Sequence, residues 1–500
     1  MTSNRASGFE ALEEPIRAEL FSVERLEEHA QSLAESQELS GRPGRFRLIS
    51  RRLADNGEVL LTSYRELSKA IREEALLTPA AEWLVDNFHL IESQLSEIRE
   101  NLPASYYREL PKLDGGHLDG YPRVYGIAWA YVAHLDSRFD PEALARFVGA
   151  YQQVDPLSIG ELWALPLTIR LILIENLRRL AEAIVWARRL RREADRIADG
   201  LLGLGDRSAD DAMSGLGRYS AARLPQPFAV QLLQRLRDQD PETTPGLTWL
   251  LDRLLTEGTT ADDVVSETHR RQAATNVTVR NIVTSLREIN FFDWAGFVEE
   301  VSLVDTALRA ESSYGDMSFA TRDRYRHAIE ELSKRSQTSE LDVARATLEL
   351  ANAQLPDRRQ SDPGFFLIGE GRAVLESQIG FRPGVGLSLA RMARAHPSLV
   401  YVVSVGLAAA LALVLPLLSI AGDWQIRLLM AGLALIPATD IAVVLVNRVI
   451  AARTRPAELP ALALRSGPTA ELRTLVAVPV LLTRIDQVDE LVERLEVHYL

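Results

Sequence analysis

Few residues in this chain have both the type and the spacing that chemistry asks for. The strongest pair is Asp238-Gln239-Asp240, since two carboxylates one residue apart can hold a divalent cation against the phosphates of a sugar nucleotide. The pair closes a helical pattern and runs into Pro241 with no strand pattern in front of it, so a solvated helix end accounts for it. The eight histidines form no ligand-spaced pair, the glycine-rich pieces Gly200–Gly205 and Gly384–Gly386 follow no strand pattern, and no nucleophile signature is present. There is no cysteine, which excludes disulfides and thiolate metal sites. The expectation is a chain without a complete catalytic or metal centre of its own.

The elements around these residues point to a membrane. From Leu399 to Ile420 the sequence LVYVVSVGLAAALALVLPLLSI runs 22 residues without a charge, and as a helix it is roughly 33 Å long, enough to cross a bilayer. A polar break, 421–427, leads to a second apolar run from Leu428 to Val446, interrupted by Asp440. A carboxylate near the bilayer centre costs roughly 2.5–3.5 kcal/mol on insertion scales. Asp440 is therefore expected towards one membrane face or against a polar neighbour. Residues 396–453 read as a two-helix transmembrane hairpin. Arg382, Arg391 and Arg394 precede the first apolar run and Arg448, Arg453 and Arg455 follow the second, while the turn offers only Arg427 beside Asp423. By the positive-inside rule both flanks of a multi-pass protein would be cytoplasmic, with Tyr401 and Trp424 available at the interfaces.

Composition agrees with a folded, membrane-attached protein of several units: 500 residues, 47% hydrophobic, 25% charged, net charge −13. That acid excess argues against a general nucleic-acid binder. The amino terminus has no basic-then-apolar signal pattern.

Ahead of the hairpin the pattern is helical. Phe21–Ser36 opens with Ser22 as a cap, a helix runs through Arg52 to a turn at Asp55-Asn56-Gly57, and another runs from Glu58 to Leu76. Pro79–Asn101 reads as one amphipathic helix, followed by Val124–Leu135 and Pro141–Gln152. Asp155–Gly200 is the longest periodic region, with Pro166 at an early turn or kink. Its distal half carries Arg178, Arg179, Arg188, Arg189, Arg191, Arg192 and Arg196, read as a solvated face paired with Glu182, Glu193 and Asp195, or alternatively as a contact with anionic lipid. This gives a first helical domain over 1–199, a glycine- and proline-bearing linker over 200–227 and a second helical domain over 228–395. The second contains helices near Phe228–Arg237, Leu247–Thr256, Thr260–Glu288, Phe291–Ala310, Ser318–Arg335 and Ser339–Ala353. The runs from Asn87 and from Arg280 share enough pattern to allow an internal duplication.

After a linker over 454–471 the character changes. Leu475–Val480 is of strand type and Asp486–Tyr499 of helix type, which is how a parallel α/β domain begins over 472–500. One βα unit cannot pair its own strand edges, so this chain is expected to be the front part of something longer.

Several stretches, quoted as they stand, resemble the amino-terminal region of cyclic β-1,2-glucan synthases. They are Glu58–Trp83, Leu118–Arg123, Asp155–Leu180, Phe366–Arg372, Ile379–Pro383 and the run from Leu472 onward. The resemblance implies a mainly α fold: cytosolic helical arrays, a transmembrane hairpin and the first βα unit of a truncated GT-A type domain. It implies a bacterial inner-membrane enzyme that polymerises glucose from UDP-glucose into cyclic β-1,2-glucan with a divalent cation, magnesium or manganese. Its partners would be the lipid bilayer and the remainder of the synthase, namely further transmembrane spans, transferase and phosphorylase-like regions, and not nucleic acid. No catalytic or metal-binding residue of that family has a matching position here. By resemblance alone, Pro479, Leu482 and Thr483 border a uridine pocket. This segment would then supply anchoring and a helical regulatory or scaffolding region; the alternative is a non-catalytic, membrane-tethered helical scaffold for protein interactions. A reporter inserted within 421–425 is expected to read as external, and a cytoplasmic reading there would reverse the orientation drawn from the arginines.

Overall fold

The computed structural model describes residues 12–40, 49–74, 76–101, 104–116, 118–204, 208–219, 223–239, 244–357, 359–419, 424–453, 459–464, 467 and 486–499. Two compact units divide between Ala307 and Leu308.

The first unit is built around the helix Ile159–Leu201, 43 residues long. Its start is fixed by a capping box: the Ser158 side chain accepts from the Glu161 backbone N–H, and the Glu161 carboxylate accepts from the Ser158 N–H at 3.0 Å. Pro166 lies inside it. Leu162, Leu165, Ile169, Leu173, Leu177 and Leu180 are buried, so its proximal half is a central core helix. Helices Ile49–Arg72, Phe88–Asn101, Arg123–His134, Pro141–Gln152 and Ala261–Phe291 supply the other side of this apolar core. A second cluster gathers around its distal half: Ala212, Leu216, Tyr219 and Leu224, from the stretch expected as a linker, are buried with Ala194, Ile197 and Phe228.

Three expected features differ in instructive ways. Asp55-Asn56-Gly57 is not a turn; one helix, Ile49–Arg72, runs through it. Asn56 is buried and its amide Nδ2 donates to the Glu175 carboxylate at 2.8 Å, so a tertiary bond recruits a turn former into a helix. Conversely, Pro79–Asn101 is two helices, Pro79–Asp86 and Phe88–Asn101, broken at Asn87, whose Nδ2 donates to the Trp83 carbonyl at 2.8 Å. The pattern from Phe291 to Ala310 is likewise cut into Trp294–Val301 and Leu303–Glu311, with the Ser302 hydroxyl accepting from the Asp305 N–H at 3.1 Å.

The second unit packs Phe319–Lys334, Glu340–Asn352, Pro363–Leu367 and Arg372–Gln378 over Tyr325, Ile329, Leu332, Leu348, Phe366, Leu367 and Leu375, and carries the two apolar helices Pro397–Ser419 and Trp424–Arg453. Among the described residues there is no strand, only isolated pairings such as Met317 with Leu462. The structure thus supports the mainly helical fold and gives no support to an opening βα unit. Leu475–Val480 lies outside the described residues, and the Asp486–Tyr499 helix alone cannot make one.

Two carboxylates are buried in the long helix, which is stable only because arginines meet them. Glu161 is fully buried and takes a bidentate pair from Arg123, at 2.8 Å from Nε and 2.6 Å from Nη2. Glu175, 1% exposed, accepts from Arg52 Nε at 2.9 Å, Arg178 Nη2 at 3.0 Å and Arg179 Nε at 2.9 Å besides Asn56. Burial pushes the Glu175 carboxyl up, but the bond and charge of Arg52, then Asn56 and Arg178, outweigh it and hold it at about 2. The folded-state value lies below the unfolded 4.5, so the stabilisation is fully present above that pH and is lost as pH falls from about 4.5 to 2. Urea unfolding followed across this window in detergent should show a loss of about 3 kcal/mol attributable to this group. Glu175→Gln should remove that slope and cost about 3–5 kcal/mol at neutral pH by leaving three guanidinium groups facing a neutral amide.

Candidate functional site

The residues best placed to act beyond folding lie where the second unit meets its apolar hairpin. The stretch Phe366–Arg372 makes a tight turn that requires glycine: a Cβ on Gly371 would stand 2.6 Å from the Phe365 ring, and one on Gly369 would stand 2.8 Å from the Phe365 carbonyl. This turn delivers Arg372, whose Nη2 donates to Glu331 at 2.7 Å and whose Nε donates to Glu376 at 2.9 Å. Glu376 is buried and also accepts from Arg391 Nη1 at 2.7 Å. Burial pushes its carboxyl up, but the hydrogen bonds from Arg391 and Arg372 prevail and hold it below the usual carboxylate range. Arg391 belongs to the helix Val385–Ala395, which ends at His396, immediately before Pro397–Ser419. An unbroken chain of charge-assisted bonds, Glu331–Arg372–Glu376–Arg391, therefore ties the helical body to the chain entering the hairpin.

The two hairpin helices are long and apolar enough to cross a membrane. Among the described residues of the hairpin Ala409, Ala438, Ala442 and Val446 are buried, and Ala438 and Ala442 repeat at the four-residue step that lets helix backbones approach. Tyr401 donates to Asn447 Oδ1 at 3.2 Å across one end. Large side chains of the two helices, including Leu407, Leu411, Leu433, Ile436 and Val444, are exposed, an apolar surface of the kind that a lipid or protein partner covers. Asp440 is exposed as well, two residues from Ala438 and two from Ala442, and so on the side of its helix turned away from the seam. Beyond the hairpin, residues 459–464 return to the body that precedes it: the Ser318 N–H donates to the Ala461 carbonyl at 2.7 Å and the Ala463 N–H to the Asp316 carbonyl at 2.8 Å. Both ends of the hairpin thus leave from and return to one body.

In the first unit a cleft of about 630 Å³ is lined by Trp129, His29, His134, Arg17 and Arg179 among others. Three of its polar groups are engaged internally: His134 Nδ1 with the Glu19 carbonyl at 2.7 Å, Arg17 with Asp136 at 3.1 Å, and Arg179 with Glu175 and over the Trp129 ring. Nearby, burial brings the Lys112 ammonium down to about 8 although Glu161 opposes it, and Nζ donates to the Leu110 carbonyl at 2.8 Å. The turn-like sequence around Lys112 gave no sign of that burial. Glu376 was also missed; the four-residue step from Arg372 is readable locally, but Arg391 is fifteen positions away.

Of the residues singled out from sequence, Pro479, Leu482 and Thr483 lie outside the described residues. Asp238 is an exposed helix-end residue 3.6 Å from Arg237, and Asp240 lies outside the described residues. Among the described residues no cluster of three or more His, Asp or Glu side chains could hold a metal ion. The basic half of the long helix is largely spent on acids of its own unit: Arg178 on Glu13, Glu175 and Glu182, Arg189 on Glu66, Arg192 on Glu73. Glu193 pairs with Arg218, and Asp195 accepts from Gln231 at 2.8 Å.

No family model matches the sequence. A curated protein does: over 500 residues the chain is 36% identical to cyclic beta-(1,2)-glucan synthase NdvB of Rhizobium meliloti (strain 1021). This chain is homologous to one part of a cyclic beta-(1,2)-glucan synthase. The match takes in 97% of this chain but spans only 17% of NdvB's length. Stretches that carry the resemblance meet in the fold: Arg123 of the Leu118–Arg123 stretch binds Glu161 and Asp155 of the Asp155–Leu180 stretch. Phe366–Arg372 ends on the ion chain that leads to the hairpin.

Because Glu376 joins the body to the Val385–Ala395 helix, Glu376→Gln should loosen that helix while leaving the body folded. Limited trypsin digestion in detergent at Arg391 and Arg394 is expected to accelerate about tenfold, matching roughly 1.4 kcal/mol of lost charge-assisted bonding. Unchanged cleavage would mean that apolar packing alone holds the helix.

Proposed function

We propose that this chain is the membrane-anchoring, cytosolic helical part of a larger synthase that polymerises glucose from UDP-glucose into cyclic β-1,2-glucan. The observation that carries the reading is the 36% identity to NdvB along 97% of the chain, a match running through helical units and hairpin alike. The hairpin's exposed apolar surface supports a membrane span, and the return of residues 459–464 to the body at Asp316 and Ser318 supports both flanks lying on one side. With Arg382, Arg391 and Arg394 before the first apolar run and Arg448 and Arg453 after the second, that side is the cytoplasm, where UDP-glucose is found. UDP-glucose and a magnesium or manganese ion would be taken by the remaining transferase region, with Pro479, Leu482 and Thr483 at the edge of the uridine pocket. In this reading the helical units hold the transferase against the membrane through the Glu331–Arg372–Glu376–Arg391 chain.

The test uses membrane vesicles from cells expressing the gene at its natural length, supplied with radiolabelled UDP-glucose. Label should enter β-1,2-linked glucan, and deletion of residues 1–390 should cut incorporation at least tenfold, a loss of about 1.4 kcal/mol or more in activation free energy. Intact incorporation after that deletion would end the positioning role, and no glucan from the undeleted protein would end the synthase assignment. The 500-residue chain alone should incorporate none.

A further inference from the structure

We infer that the helix Val385–Ala395 lies flat in the membrane interface, with Leu389 and Met392 sunk into the acyl boundary of an anionic lipid surface. This rests on the membrane reading of the hairpin given above.

The helix has two unlike faces. Arg391 faces the body, donating to Glu376 and standing 5.8 Å over the Phe381 ring. At 100° per residue, Leu387, Ser388, Arg394 and Ala395 fall within about 60° of Arg391, whereas Gly386, Leu389 and Ala393 fall on the opposite side with Met392 at its margin. That opposite face is apolar, yet Leu389 is 54% and Met392 57% exposed. Two large apolar side chains held in water by a salt bridge behind them call for a covering surface.

Continuity and charge identify it. Only His396 separates this helix from Pro397–Ser419, so its end stands where the apolar span begins. From Ser377 to Gly422 the sequence has no acidic residue, while Arg382 and Arg394 are cationic in addition to Arg391, whose charge Glu376 meets. A short helix with an apolar face, arginines on its flank and a span directly after it suits the headgroup–acyl boundary of anionic lipid. Glu376 fixes which way it faces: with Arg391 bound to the body, the opposite face is the one left for lipid.

The absence of cysteine makes the test direct, because single cysteines can be placed in the whole chain without removing any other. Leu389→Cys, Met392→Cys, Ser388→Cys and Val403→Cys are spin-labelled and reconstituted in vesicles of phosphatidylglycerol and phosphatidylcholine. Collision with oxygen is compared with collision with a water-soluble nickel chelate. Val403, in the first span, reports whether the hairpin is inserted. At Leu389 and Met392 oxygen should dominate, at about 5–10 Å below the phosphates, and at Ser388 the chelate should dominate. In vesicles of phosphatidylcholine alone the label at Met392 should become shallower. Leu389→Glu in the Met392→Cys background should abolish the protection at Met392.

An aqueous reading at Leu389 and Met392 with a deep Val403 overturns the inference and leaves the membrane reading standing. An aqueous Val403 overturns both. Protection at Met392 that rises with the protein-to-lipid ratio assigns the face to a second copy of the chain and overturns the lipid assignment, as does protection that survives Leu389→Glu.

Discussion

The first unit depends on burying a helix that carries two carboxylates into its own core. Glu161 and Glu175 are almost wholly excluded from water, and an unpaired charge in that position would cost several kcal/mol, a large share of a domain's margin of stability. Arg123 answers the first with a bidentate fork; Arg52, Arg178 and Arg179 answer the second. Arg52 and Arg123 come from other helices, while Arg178 and Arg179 lie on the long helix itself and reach out to Glu13. Arg52 fixes the register of Ile49–Arg72 against the long helix, Arg123 fixes Arg123–His134, and Glu13, which pairs with Arg52, Arg178 and Arg179, pulls the amino-terminal segment onto the same point. Leucine packing alone would tolerate a helix sliding by a turn; these directional bonds would not.

The second unit applies the same device at the entrance to the apolar hairpin. Glu376 sits between two arginines, one from the glycine turn of the body and one from the helix leading into the hairpin. Its carboxylate is depressed by its hydrogen bonds despite burial, so it stays ionised throughout the physiological range and the joint does not loosen with ordinary pH changes. The returning segment 459–464 closes on Asp316 and Ser318 by backbone bonds, so the body grips the chain both before and after it passes through the apolar hairpin. A body held at two points has a fixed orientation relative to the hairpin.

Much of this was legible in the sequence because it is local. Charge-free length gave the hairpin, three- and four-residue periodicity gave most of the helices, and Ser22 marked a helix start by its own side chain. What failed to show is non-local. Asn56-Gly57 has the composition of a turn, and only Glu175, far along the chain, explains why a helix continues through it; Gly57 adds that Leu95 approaches to 3.5 Å of where a Cβ would stand. Asn87 sits inside an uninterrupted apolar period and breaks it by capping the Trp83 carbonyl and accepting from Arg287, two hundred positions away. The joint at Glu376 was invisible for the same reason, since a salt bridge over fifteen residues has no period. The candidate nucleotide-border residues came from resemblance and not from pattern, and they fall outside the described residues.

Asp440 shows how the hairpin and the body constrain one another. The seam takes the small residues Ala438 and Ala442, which forces the intervening positions outward, and one of those is the carboxylate. Rotating the helix to hide Asp440 in the seam would bury a charged group there and expose the alanines that allow close approach. Rotation is also resisted at the end of the hairpin, where Tyr401 and Asn447 are hydrogen bonded and the chain is drawn back towards Ser318. The observed orientation is therefore the one in which close helix packing and the return of the chain to the body are satisfied together. The carboxylate's place on the outer face is the consequence of those two demands and not a free choice of the span.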